Sequence, residues 1–104
     1  MIARSKLSSL APDLAPDSFL KVVVDIERRI LSFGCELHID CAEELLKDGS
    51  LSENLWGANV YLDKKQVDFV SFINIRPGKG NKSMEIAIPE IREIVGVVIR
   101  EILF

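Results

Sequence analysis

The stretch that most constrains this chain is residues 55–81. It reads L-W-G-A-N-V-Y-L, a turn D-K-K-Q, V-D-F-V-S-F-I-N-I-R, then P-G-K-G-N. Two runs rich in β-branched and aromatic residues, each alternating in polarity and joined by a polar turn, predict a β-hairpin. Pairing Leu62 with Val67 sets Trp56, Ala58, Val60 and Leu62 on one face. Val67, Phe69, Ser71 and Ile73 lie opposite them on the same face, which is the predicted core. The other face carries Gly57, Asn59, Tyr61, Asp68, Val70, Phe72, Asn74 and Arg76, a mixed surface. D-K-K-Q lacks the Asn-Gly pair of a tight two-residue loop, so the turn alone does not fix this register.

The rest of the chain reads as helical cover for that sheet. Residues 1–17 contain A-P-D-L-A-P-D, and each Pro turns the residue before it away from helix, so this is a lead-in segment. Asp17 is placed to cap a helix beginning at Ser18. In residues 18–33, Phe19, Val22, Val23, Ile26, Ile30 and Phe33 fall at the spacing of one helical face, and Gly34 is a stop, which predicts a helix. Residues 35–39 alternate Glu36 and His38 against Leu37 and Ile39, the period of a half-buried strand. Asp40 then caps a helix through Leu46 or Lys47, with Glu43 completing a capping box. Pro89 suits the first position of a last helix, whose stripe is Ile91, Ile94, Val95, Val98 and Ile102. The expected architecture is α+β: one domain over 18–104, an antiparallel three-stranded sheet built on the hairpin, and N- and C-terminal helices covering it.

Length and composition bound the function. With 104 residues, 48% of them apolar, the chain can bury a core without staples. Positive mean hydropathy predicts apolar area closed by self-association, a homodimer first of all. A net charge of −3 argues against coating nucleic acid. Charges interrupt every apolar run short of a membrane span, and no secretory h-region opens the chain. Two cysteines make no disulfide framework, so the expectation is a reduced, cytoplasmic protein.

Candidate chemistry sits on the outer face. If the 35–39 strand pairs beside the hairpin, Glu36, His38, Asn59, Asn74 and Arg76 converge on one side and suit an anionic or amide-bearing ligand. The plainer alternative is a Glu36–Arg76 salt bridge with the amides satisfying sheet edges. Arg76, Lys79 and Lys82 around P-G-K-G-N offer a phosphate or RNA-backbone site, against a loop in which Asn81 and Ser83 bond locally. Cys35-x-x-His38-x-x-Cys41 has metal-like spacing, but strand parity points His38 away from both cysteines, so no metal and no cofactor are expected. Trp56 belongs to the core, with an indole N–H needing a partner.

E-L-H-I-D at 36–40, D-G-S at 48–50, L-W-G-A-N at 55–59 and I-N-I-R-P-G-K-G-N-K-S-M-E at 73–85 resemble the motifs of a small prokaryotic family of unknown function, as does V-V-D-I-E-R at 23–28. The likeness covers most of 23–92; the Pro-containing start departs from it. It implies no activity, substrate or cofactor. It implies that Glu36, His38, Asp40, Asn59, Asn74, Arg76 and Asn81 are the residues to test. The expected function is a soluble binding domain with a polar anion- or amide-binding surface at the end of the hairpin. A small hydrolase or lyase using His38 as acid–base with Arg76 orienting an anion is the alternative. Phosphate binding through 76–82 is the second.

Overall fold

A computed structural model describes residues 1–7 and 19–104. Most of the Pro-containing segment, and the cap expected at Asp17, lie outside the described residues. Five strands form one antiparallel sheet in the order β1-β3-β2-β4-β5. They are β1 (Ile2–Ala3), β2 (Leu20–Asp25), β3 (Ile30–Phe33), β4 (Leu55–Tyr61) and β5 (Gln66–Asp68). Helix α1 (His38–Lys47) and helix α2 (Pro89–Leu103) lie on opposite faces. The α+β class stands; the sheet has two more strands than the sequence suggested.

The largest correction is at 18–33, a hairpin where a helix was expected. Val22, Val23 and Val24 are all fully buried. A helix cannot bury three consecutive residues on one stripe, whereas a central strand covered on both faces buries every side chain. The turn is set by Asp25, whose Oδ1 accepts from the N–H groups of Glu27 at 2.9 Å and Arg28 at 3.0 Å. Arg29 takes the left-handed conformation, φ 54°, that closes it. Helical spacing matches here only because Ile26 to Arg29 carry the chain round the corner.

β2 pairs with β3 and β4 at once, with Val23 opposite both Ser32 and Gly57. Val22, Val24, Leu31, Trp56, Ala58 and Val60 pack against Val95, Val98, Ile99 and Ile102 of α2. Val23, Ile30 and Leu55 pack on the other side against Cys41, Ala42 and Leu45 of α1. Helix α2 starts with Pro89 in its first turn, as expected. Helix α1 begins earlier than read: Leu37 is its N-cap, without a side-chain bond, and Asp40 lies inside the first turn. The strand expected at 35–39 is therefore a loop and a helix start, and no capping box forms. Residues 1–7 are also tied in, since β1 pairs with β3 and Leu7 N–H donates to Ile102 O at 3.0 Å. At the far end of α1, Asp48 accepts from Arg4 at 2.6 Å and Arg28 at 2.7 Å, and these guanidiniums hold its carboxyl below the usual range.

The 55–76 hairpin is paired for only part of its length. Val60 faces Val67, two residues from the expected register. A shift of two preserves parity, so Trp56, Ala58, Val60 and Phe69 keep their core places. Beyond Asp68 the second arm leaves the sheet. Ile86 N–H donates to Phe69 O at 2.9 Å and Ser71 N–H to Met84 O at 3.0 Å, so 69–71 runs beside 84–86 instead. Ser71 then caps a 3-10 turn, Phe72–Asn74, by accepting from Ile73 N–H. Ser71 and Ile73 consequently do not join the Trp56 face: Ile73 packs on the α1 side.

The cysteines are bonded to each other, Cys35 to Cys41. That replaces the expected free thiols and takes both sulfurs out of the metal-like spacing around His38. The bond joins the loop after β3 to the first turn of α1, and Cys41 sits in the core beside Leu45. Because α1 has no side-chain cap, this link is a main restraint on 36–40. Reduction is expected to cost about 2 kcal/mol, from the loop-closure entropy of so short a loop. Amide hydrogen exchange should accelerate across 36–40 and stay unchanged in α2; equal protection with and without reductant would contradict this.

Candidate functional site

β5 ends at Asp68, which leaves the outer edge of β4 without a strand from Leu55 to Ala58. Side chains finish the ladder. Asn74, fully buried, accepts from Gly57 N–H at 2.8 Å and donates to Gly57 O at 2.9 Å, and also to Met84 O at 3.0 Å. Its carboxamide thus stands where a strand's peptide group would. Arg76 donates from Nη2 to Leu55 O and from Nε to Ile73 O at 3.1 Å, while its guanidinium lies 4.8 Å over the Trp56 ring. Burial lowers the pKa of Arg76 from its ordinary value. Asn81, also fully buried, donates to Asn74 O at 2.8 Å, Ser83 O at 3.1 Å and Glu85 O at 3.0 Å, and accepts from Ala87 N–H at 2.8 Å.

These three residues are committed to the backbone, so the amide and guanidinium groups expected to meet a ligand instead hold the irregular segment 69–87 against β4. The same holds for the P-G-K-G loop. The N–H groups of Arg76, Lys79, Gly80 and Asn81 donate to Asn81 O, Arg76 O, Pro77 O and Arg76 O, at 2.7 to 3.1 Å. An anion cradle needs such donors free. Lys79 is exposed and sits 3.8 Å from Glu53.

His38 and Asn59 are the expected site residues that the fold does bring together. His38 opens α1 and points at β4, where Nε2 donates to Ala58 O at 2.8 Å. The carbonyl can only accept, so the neutral ring keeps its lone pair on Nδ1. Burial holds the pKa of His38 below 6.5; the Ala58 bond opposes this, Lys21's charge adds to the lowering, and Asn59 opposes it again. Lys21 pairs across the sheet with Asn59, and its Nζ donates to Glu36 O at 2.6 Å. Glu36 contributes its carbonyl, while its carboxylate and that of Asp40 belong to exposed residues. Arg76 is turned to Leu55 O and Trp56, and His38 to Ala58 O, so the two do not form an acid–base and anion-orienting pair.

Around His38 lies a cleft of about 270 Å³ lined by Lys21, Leu37, Ile39, Ser71, Phe72 and Ile73. It exists because α1 covers only part of its face of the sheet, over Val23 and Leu55, and the Phe72–Asn74 turn covers another part. Gly57 lies behind two of the lining residues: a Cβ there would stand 2.6 Å from Ser71 Cβ and 3.2 Å from His38 Cδ2. The rim is apolar and open, with Phe72 77%, Leu37 56% and Ile39 48% exposed. A wider hollow of about 610 Å³ runs past β5 between Tyr61, Lys65, Asp68 and Arg100, but it is shallow and walled by surface charges. The sequence reading missed Lys21, Ser71 and Phe72. The available signal was Lys21, a single charge within F-L-K-V-V-V, which only makes sense at a strand end facing something polar.

The His38 titration gives a stability prediction. Unfolded, the ring takes a proton near pH 6.5; folded, it does so at lower pH. Between those values the unfolded chain holds more protons, so stability falls as pH drops below about 6.5 and levels off below the folded value. Urea midpoints across pH 5 to 8 should show this slope. His38→Gln should flatten it, and an unchanged slope in that variant would assign it elsewhere.

Among the described residues no group of His, Cys, Asp and Glu is arranged to hold a metal ion, and no helix is long and apolar enough to cross a membrane. No curated protein and no solved structure matches the chain. The model of a family described as "Protein of unknown function (DUF5674)" matches residues 2–102, and the chain belongs to that family.

Proposed function

We propose that this domain is a binding module, not an enzyme, and that its recognition site is the cleft around His38. The observation that carries this is the open apolar rim. Leu37, Ile39 and Phe72 stay exposed beside a half-buried imidazole, although the same fold buries Leu45, Leu55 and Ile86 completely. Exposed large apolar residues gathered around a few polar groups mark an interaction site more than a stability feature. The acid–base alternative has less support, because Arg76, the group expected to orient an anion against His38, is turned to Leu55 O instead.

Anilinonaphthalene sulfonate, an apolar anion, is a direct probe under native conditions. Its fluorescence should rise saturably with the protein and fall to roughly one-fifth or less with Phe72→Ser. That variant alters a surface residue and should keep its stability within about 0.5 kcal/mol. No fluorescence change, or equal binding by Phe72→Ser, would remove the cleft as the site. Self-association is a second reading, favoured by exposed Leu46 and Leu51 towards the C-terminal end of α1. Light scattering that gives a strict monomer would end it.

A further inference from the structure

The cleft has a sign as well as a shape. Among the described residues no carboxylate side chain lines it, while Lys21 and His38 both do. Lys21 Nζ is held by Glu36 O at 2.6 Å, which fixes the ammonium at the rim and leaves its other N–H groups for a ligand. His38 Nε2 is spent on Ala58 O, so a proton taken up at Nδ1 creates a second charged donor. Leu37, Ile39, Phe72 and Ile73 supply the apolar part of the lining. The volume of about 270 Å³ lies below the roughly 300–1,000 Å³ of sites that enclose drug-sized ligands.

We infer that the cleft binds a small carboxylic acid with a short apolar body, its carboxylate between Lys21 and His38 and its body along Leu37, Ile39 and Phe72. This rests on the cleft being a binding site and adds the class of ligand. A neutral or cationic ligand of the same shape leaves Lys21 without a counter-charge and gains only the apolar contact. Affinity also acquires a pH dependence. The groups facing His38 are Lys21 from β2, Asn59 and the Ala58 carbonyl from β4, and Ser71 from the segment after β5, while Glu36 and Asp40 nearby are exposed. A bound carboxylate favours the imidazolium, so binding strengthens as pH falls from 8 towards 5 while the ligand stays ionised.

The test is titration of the full chain with hexanoate, hexanol and hexylamine, followed by calorimetry and by the backbone amide shifts of Leu37, Ile39 and Phe72. Hexanoate should bind about tenfold or more tightly than hexanol, and hexylamine more weakly than either. Lys21→Gln and His38→Gln should each weaken hexanoate about fivefold, the range of a partly exposed charge contact, and leave hexanol unchanged. Lys21→Arg should retain hexanoate. Amide shift dispersion identifies any variant that fails to fold, and Lys21→Arg then serves with the pH series as the remaining measure. Equal binding of hexanoate and hexanol at these amides would overturn the acid class and leave the cleft a binding site. Rim amides unmoved by all three ligands, or shifting only with protein concentration, would overturn both readings.

Discussion

Asn81→Ala is expected to remove about 3 kcal/mol of stability, a large part of what a domain this size has. The residue is fully buried and its carboxamide makes four hydrogen bonds, to Asn74 O, Ser83 O, Glu85 O and Ala87 N–H. Truncation leaves each of those backbone groups without its partner. A buried group so orphaned costs about 1–3 kcal/mol, but Ser83, Glu85 and Ala87 are exposed residues that water can reach, so the four losses do not sum in full. Asn74 O is the group with least access to a substitute, because Asn74 itself is fully buried. Its loss should loosen the 3-10 turn that holds Asn74 on Gly57. Asn81→Asp is the sharper control: it keeps an acceptor for Ala87 N–H but sets a carboxylate against three carbonyl oxygens, so it should destabilise at least as much. Denaturant unfolding measures both, and a loss under about 1 kcal/mol for Asn81→Ala would mean the hub is not needed. Asn74→Ala should cost a similar amount, and the double variant less than the sum, since both act through the same segment.

In that network the amides do what the plainer alternative gave them, satisfying a sheet edge and a loop. Asn74 and Arg76 stand out because an amide and a guanidinium on an outer face suit a ligand, and Asn81 because it closes the P-G-K-G-N loop. What residue types alone do not carry is how many backbone groups the fold leaves unpaired. With β5 stopping at Asp68, the edge of β4 has peptide groups to satisfy; Asn74 and Arg76 go to them, and Asn81 holds the segment that carries Asn74. The parity of β4 was legible, since alternation survives a two-residue register shift, and so was α2, which has Pro89 at its start and a long apolar stripe. The 18–33 hairpin was not, because F-L-K-V-V-V-D-I-E-R-R-I fits helical spacing until the valine run is taken as a strand covered on both faces. The disulfide was hidden by the strand assigned to 35–39. Six residues of strand span about 20 Å, whereas the bend into α1 brings the Cα atoms of Cys35 and Cys41 to 5.7 Å. The same bend turns His38 inward onto Ala58 O and places it in the lining of the cleft.

Gly57→Ala is the second variant with a large expected effect, and it links stability to the cleft. Glycine within a strand is normally unfavourable and marks a close approach by another part of the chain. Here the approaching part is Ser71, whose Cβ and Oγ would stand 2.6 and 2.7 Å from an added Cβ. Oγ can rotate away, but Cβ is fixed to the backbone, so the 69–73 segment has to move outward, at about 2 kcal/mol, as in other overpacked cores. Moving it drags Ser71 and Phe72 from the cleft and uncovers His38, whose Cδ2 would stand 3.2 Å from the added Cβ and needs only a small shift that keeps the Ala58 O bond. Two readouts should therefore change together: the denaturation midpoint falls, and the His38 pKa followed by NMR moves back towards 6.5 as the ring is exposed. Ser71→Gly removes the clashing atoms at the expense of the bond to Ile73 N–H, so alone it should cost about 1 kcal/mol. Combined with Gly57→Ala it should restore most of the lost stability, whereas Ser71→Ala, which keeps the Cβ, should not. If the glycine rescue fails while Gly57→Ala stays unstable, the cost lies in β4 itself; if Gly57→Ala is as stable as the parent, Ser71 does not sit on Gly57.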